Sequence, residues 1–452
     1  MKLLLYVPPF QVEGSRVDNI AHVKIGGLTL YQRARRSAQI AGFDEIVVVS
    51  PKGLTYLDDP LVTIPTQRLD YDRQVSEIKS ELSQIMGDEN ACVCILDGII
   101  SPECMCMRPQ GADVRIRAHG EDTGIYFICG SSMRKAIESE YSIDDLETVT
   151  SETLEASDKA LYHCILSKDD FKIAQNILTK SLRKKLGRDA DGLVAYFINR
   201  PCSLQISKRI ANSPITPNMV TAFGLVLGLL AAGLMAFGGY VHGTADDPGA
   251  GPFLMGLSVV LWQFSSMIDG IDGELARMRM SPSHKGEWFD TVADDVTNIS
   301  FLAGLGFAVG QIHPMPGNLS FFDAQGAFHF PYFYLAVLVC LLMTIVVLWF
   351  YREFLKMGIA SHNHFEWGFE KENKENKNDE HRNVLRKICD GVAGAFAWIA
   401  KRDFYTFLIM CVVLCGGYRI AYFIMLAGAS FVGIGGLIAL TLRSVRLSKN
   451  SK

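Results

Sequence analysis

Two short runs of acids and glycines hold the residues best placed to do chemistry. The first is Asp269-Gly270-Ile271-Asp272-Gly273-Glu274-Leu275-Ala276-Arg277. After eight intervening residues comes Gly286-Glu287-Trp288-Phe289-Asp290-Thr291-Val292-Ala293-Asp294. On helices, Asp269 and Asp272 are three apart and Asp290 and Asp294 four apart, so each pair shares a face. Gly273 and Arg277 continue the first stripe. Folding the two helices together gathers four carboxylates in one pocket, with Gly273 and Gly286 leaving room for a backbone or a ligand. Acids so placed beside apolar spans stay ionised together only when cations neutralise them. Oxygen-only ligands suit Mg²⁺ or Mn²⁺, and two such ions clamping a diphosphate are a route to phosphoryl transfer. Glu274, Glu287 and Asp295 fall off the stripe and read as ordinary ion-paired helix ends.

These acids need a scaffold, and the composition indicates its kind. The chain has 452 residues, 49% of them hydrophobic and 20% charged, with a mean hydropathy of +0.18. That length suggests two or three domains, and that hydropathy requires a membrane-embedded portion. The balance of 44 basic against 48 acidic residues leaves −4, so nucleic acid is not an expected partner. Eleven cysteines are too sparse for a secreted disulfide scaffold. Before residue 190 no apolar run approaches the roughly 20 residues that cross a bilayer. After it, six candidates appear: Met219–Tyr240, Phe253–Ile268, Val296–Ile312, Phe333–Phe350, Phe404–Gly417 and Ala421–Leu442. The second and fifth are short.

Lysine and arginine are absent from connections 241–252 and 313–331 and frequent at the opposite ends, as in Arg277, Arg279 and Lys285. The positive-inside bias therefore puts both termini and the 276–289 connection, with its acids, on the cytoplasmic side of an integral membrane protein. The first half alternates strands and helices. Leu3–Val7, Glu45–Val49 and Cys92–Leu96 read as strands, and Leu28–Ala41 as a helix ended by Gly42. That order predicts an α/β domain with a parallel, doubly wound sheet ahead of an all-α, six-span domain. The expected boundaries are 1–180 for the α/β domain, 181–215 for a basic juxtamembrane segment at the lipid surface, and 216–446 for the membrane domain. Lys371–Asp379 reads as a solvated polar loop.

The acidic run resembles the signature of the CDP-alcohol phosphotransferases, also called CDP-alcohol phosphatidyltransferases. Every fixed position is present, at Asp269, Asp272, Gly273, Ala276, Arg277, Gly286, Asp290 and Asp294. Thr216-Pro217-Asn218 is similar to a further element of that family. The resemblance covers about residues 190–450. It implies transfer of a phospho-alcohol or phosphatidyl group from a CDP-alcohol donor to a hydroxyl or phosphorylated-polyol acceptor, with release of CMP. It implies that Asp269, Asp272, Asp290 and Asp294 hold two metal ions, with Asp294 also the general base. Asn218, Gly273, Ala276, Arg277 and Gly286 would line the CDP pocket. Membrane lipids are implied partners, as is a second copy of the chain, since the family often dimerises.

The order Gly14-Ser15-Arg16, Lys24-Ile25-Gly26-Gly27-Leu28, then Phe43-Asp44-Glu45-Ile46-Val47-Val48-Val49 resembles the sugar-nucleotide and cytidylyl nucleotidyltransferases. Such a domain ahead of the membrane domain is similar to bifunctional inositol-phosphate cytidylyltransferase/di-inositol-phosphate synthases, which gives a second functional reading. In that resemblance Arg16, Lys24 and Asp97 fall at nucleotidyl-site positions. The motifs depart from the family's pattern, however. Val12 replaces a phosphate-cradling glycine, and Thr150 stands where a second metal aspartate would fall. The front domain is therefore read as a degenerate, non-catalytic relative.

Arg200, Lys401 and Arg402 could grip an anionic acceptor, with positive-inside anchoring as the competing explanation. Cys92, Cys94, Cys104 and Cys106 invite a zinc reading, against which Cys92 and Cys94 look like core positions. His362 and His364 have no partner at ligand spacing. Gly224 and Gly228 suggest close helix packing. A membrane transporter is the rival of another class, disfavoured because the acids cluster at one edge instead of the midplane.

Overall fold

A computed structural model describes the chain except for residues 10, 16, 56–58, 73–78, 88, 108, 110–112, 139–149, 151, 184–190, 245–248, 315–328, 362–400, 451 and 452. Arg16, His362, His364 and Lys371–Asp379 thus lie outside the described residues, as does part of the expected juxtamembrane segment. The chain divides into two compact units. One comprises Met1–Arg183 with Lys208–Pro214 and Leu275–Ser281, and the other Lys184–Ser207, Ile215–Glu274 and Pro282–Lys452.

In the first unit, the elements in chain order are β1 (Lys2–Tyr6), β2 (Lys24–Ile25), β3 (Leu28–Thr29), α1 (Leu30–Ile40), β4 (Glu45–Pro51) and β5 (Thr66–Tyr71). There follow α2 (Lys79–Met86), β6 (Ala91–Ile95), β7 (Gly98–Ile100), α3 (Pro102–Met105), β8 (Val114–Ala118), β9 (Glu121–Ile128) and α4 (Gly130–Glu138). The last are β10 (Glu152–Glu155), β11 (Tyr162–Cys164) and α5 (Lys168–Ser181). Seven strands form one sheet in the order β10-β8-β9-β6-β1-β4-β5. Leu3, Leu5, Val47, Val48 and Val93 are fully buried, as aliphatic strands covered on both faces must be. β1 pairs in parallel with β4 and β6, as the strand-helix-strand order predicts. β9 is antiparallel to both β6 and β8, so the sheet is mixed. Helix α1 starts in a capping box between Thr29 and Gln32, and Gly42 just beyond it has φ +76°.

In the second unit, a single π-helical turn (Ala195–Asn199) leads into α6 (Arg200–Ile210). Then come α7 (Pro217–Thr244), α8 (Ala250–Met278), α9 (His284–Ile312), α10 (Tyr332–Met357), α11 (Arg402–Leu414) and α12 (Tyr418–Asn450). Among the described residues α7, α8, α9, α10 and the Tyr418–Ile438 part of α12 are long and apolar enough to cross a membrane. The fifth expected span is the 13-residue α11, which ends near Gly416 at φ +79°. Trp262 on α8 stacks on Phe301 of α9 with centroids 3.8 Å apart, inside a core that includes Met235, Leu305, Ile409 and Tyr422.

Several glycines of α7 and α9 meet the other helix of this pair directly. A Cβ on Gly228 would lie 2.2 Å from Thr297 Cγ2, and one on Gly239 would lie 2.2 Å from Ala308 Cα. A Cβ on Gly304 would lie 2.4 Å from the Ala232 carbonyl oxygen. Gly224 faces Ile268 at 3.6 Å. The Gly224/Gly228 stripe therefore serves packing within this fold.

Candidate active site

Helix periodicity brings the signature acids together. Asp269, Asp290 and Asp294 each offer a carboxylate oxygen, and these oxygens lie within 4.8 Å of one another. Asp272, one turn beyond Asp269 on α8, is buried. Its Oδ2 accepts a hydrogen bond from the Thr221 hydroxyl of α7, which fixes the carboxylate's rotamer. The donor set is oxygen-only, and Asp290 Oδ1 is buried with no hydrogen-bond partner. A buried, unpaired carboxylate oxygen beside three further acids suits a hard divalent cation.

Asn218 sits in the first turn of α7, where it meets the start of α9. A Cβ on Gly286 would lie 3.1 Å from Asn218 Oδ1 and 2.9 Å from Ser283 Oγ, so glycine lets both side chains approach without shifting. Ser283 caps α9, its hydroxyl accepting from the Gly286 N–H at 3.0 Å. Gly273 and Ala276 are half-buried, and Arg277 is exposed.

Beside the acids lies a cavity of about 160 Å³, lined by Asp191, Asn199, Arg200, Asp269, Lys401, Arg402 and Asp403 among others. All three expected acceptor-site cations reach it. Arg200 does so with its guanidinium already bonded. Nε and Nη2 donate to the two Asp191 oxygens at 2.9 and 3.2 Å, and Nη1 donates to Glu274 Oε1 at 2.7 Å. Glu274, fully buried, also accepts from the Ser203 and Ser207 hydroxyls, each at 2.7 Å. Arg402 reaches the acids directly: its Nη1 donates to Asp269 Oδ1 at 3.0 Å and to Asp294 Oδ1. Asp403 Oδ2 accepts from the Ala195 N–H at 2.7 Å, tying the start of α11 to the π-helical turn.

Sequence reasoning missed Thr221, Asp191 and the serines of α6. Thr221 could have been found, because it lies three residues beyond Asn218 on one face of α7. Asp191 and Ser203 give no such signal, since their partners are remote in sequence.

In the first unit, Asp97 follows β6. Its Oδ2 accepts from the Tyr162 hydroxyl at 2.9 Å, and its Oδ1 is buried without a partner. Burial, and then the charge of Asp122, push its carboxyl up to about 7, against the Tyr162 hydrogen bond. Lys24 is exposed on β2. Cys92, Cys94 and Cys104 are fully buried, and burial pushes the Cys104 thiol up to about 11. Such thiols behave as small core residues.

Residues 214–368 match the CDP-alcohol phosphatidyltransferase family. The chain is similar to a bifunctional IPC transferase and DIPP synthase of Archaeoglobus fulgidus, 29% identical over 38% of this chain and 30% of the relative. A protein of the same name in Aquifex aeolicus is 32% identical over 30% of this chain and 27% of the relative. The matched stretches thus span under a third of these relatives' own length. Among solved structures, the inositol-1-phosphate CTP transferase of T. maritima aligns over 39% of this chain and 95% of its own, at 10% identity and a TM-score of 0.31. The C-terminal part of the chain therefore carries a CDP-alcohol phosphatidyltransferase domain, with its signature acids on α8 and α9.

Proposed function

We propose that this chain is an integral membrane enzyme that transfers a phospho-alcohol or phosphatidyl group from a CDP-alcohol to an acceptor hydroxyl and releases CMP. The observation that carries this reading is the convergence of Asp269, Asp290 and Asp294, with Asp272 braced beside them by Thr221. These four acids would hold two divalent ions, Mg²⁺ or Mn²⁺. When bound, the ions supply neutralisation of the donor diphosphate and of the departing CMP.

The chain's own residues supply the rest. Asn218, Gly273, Ala276, Arg277 and Gly286 bind the cytidine diphosphate. Asp294 takes the proton of the acceptor hydroxyl as that oxygen bonds to the phosphorus next to the donor alcohol. The bond from that phosphorus to the CMP oxygen breaks, and CMP leaves. The acceptor enters through the cavity beside Lys401 and Arg402, whose wall Arg200 shapes. Six spans with cytoplasmic termini and active site, in a monomer or a homodimer among membrane lipids, complete the reading. The front domain, residues 1–180, is a non-catalytic relative of the nucleotidyltransferases. The closed Asp97–Tyr162 pair supports that view.

The test is CMP release by protein purified in detergent, with CDP-diacylglycerol or CDP-inositol as donor. Inositol, inositol phosphate and glycerol phosphate serve as acceptors. Release should require Mg²⁺ or Mn²⁺ and disappear on EDTA addition and in Asp290→Asn. Release that persists without divalent ions would overturn the reading. Release unchanged in Asp294→Asn would overturn both roles given to Asp294, while leaving a metal site on Asp269, Asp272 and Asp290 standing.

A further inference from the structure

The dipole of its own helix does not favour a cation where Arg402 stands. This residue occupies the first position of α11, directly after Lys401, so two cations stand at the positive end of a helix dipole. Its guanidinium reaches Asp269 and Asp294, two of the three carboxylates that converge on one point. Its Nε is buried and has no hydrogen-bond partner. The same side chain lines the cavity that also borders Asp269. The neighbouring cation differs, because Arg200 already donates from all three nitrogens to Asp191 and Glu274.

We infer that Arg402 is an exchangeable internal cation linking metal binding to acceptor binding, and that the acceptor it serves carries a phosphomonoester. This rests on the acids being a metal site, as proposed above. A divalent ion entering Asp269 and Asp294 competes with the guanidinium for the same carboxylates. Once displaced, the guanidinium is a charge without a partner at the edge of the cavity. A phosphate is the group that matches a planar, multi-donor cation there. Linkage makes the effect reciprocal: whatever anion engages Arg402 tightens metal binding by the factor by which the metal tightens the anion. A neutral polyol exerts no such pull.

The experiment follows Mn²⁺ binding by the loss of its free-ion paramagnetic resonance signal, using full-length protein in detergent. Titrations are run alone, with glycerol 3-phosphate, with glycerol, and with CDP. In the wild type, glycerol 3-phosphate should tighten Mn²⁺ about tenfold, and glycerol should leave it unchanged. Arg402→Gln should bind Mn²⁺ several-fold more tightly than the wild type and lose the response to glycerol 3-phosphate while keeping the response to CDP. Arg402→Lys, which keeps the charge, should fall between the two. Equal Mn²⁺ affinity with glycerol and glycerol 3-phosphate in the wild type would overturn the inference without any variant. So would loss of the CDP response in Arg402→Gln, which would assign the residue to the donor. Asp290→Asn separates the two layers. If it leaves Mn²⁺ binding unchanged, the metal-site reading itself fails, and the inference fails with it.

Discussion

Asp97→Asn separates two meanings of the front domain. The carboxyl is held at about 7 by burial, with one oxygen on Tyr162 and the other without a partner. In the unfolded chain an aspartate titrates near 4. Between about pH 4 and 7 the folded domain therefore keeps a proton that the unfolded chain has released. Its stabilising effect is full below the unfolded value and is lost as pH rises through about 7. At ~1.4 kcal/mol per pH unit that interval sets a ceiling of about 4 kcal/mol. Because the residue keeps partial contact with water, the expected difference is about 2 kcal/mol. Asparagine still accepts from Tyr162 and never ionises, so it should remove most of this loss.

Hydrogen exchange on the intact protein in detergent reads the effect locally, in peptides covering β1 and β6. After correction for intrinsic rates, Asp97→Asn should slow exchange about 30-fold at pH 8, about threefold at pH 5 and not measurably at pH 4. Faster exchange in the variant at pH 8, together with protection of the wild type alone by Mn²⁺, would refute the argument. Asp97 would then be an ionised metal ligand, and the front domain a working nucleotidyl site.

Thr221→Val removes the hydroxyl that orients Asp272, and should weaken Mn²⁺ binding about tenfold with little change in thermal unfolding. Glu274→Gln leaves Arg200 with only Asp191 for its charge, and should lower stability by about 3 kcal/mol, read as an earlier unfolding transition in detergent. Gly239→Ala forces a methyl group to within 2.2 Å of the Ala308 backbone. It should cost about 2 kcal/mol through overpacking, seen as increased protease sensitivity in detergent.

What the sequence revealed depended on how local the signal was. β1, β4 and β6 announce themselves as aliphatic runs because both faces of a central strand are buried. The β8–β9 hairpin escaped, since its turn at His119-Gly120, both with positive φ, lacks the usual asparagine-glycine mark. That is why a parallel sheet was expected and a mixed one found. The four aspartates were legible because spacings of three and four survive as geometry on a helix. The Asp191–Arg200–Glu274 network was not, since it joins residues 9 and 74 positions apart. Nothing in the type of either acid marks it as the other's neighbour. Apolar content alone overstated α11, where composition suggested Phe404–Gly417 and the helix stops at Leu414.

The glycine contacts between α7 and α9 carry a mechanical consequence. Long side chains between helices can change rotamer and let the axes drift, whereas backbone packed directly on backbone has no such play. α7 supplies Asn218 and Thr221, and α9 supplies Asp290 and Asp294. Two walls of the site therefore stand at a spacing fixed by atoms that cannot rearrange. Lateral pressure in the bilayer, which varies with acyl chain length and curvature, should barely move those walls. It should act instead on the part of the site formed by the short α11, which presents Arg402. Lipid composition would thus tune what enters the cavity while leaving the acid cluster at constant geometry.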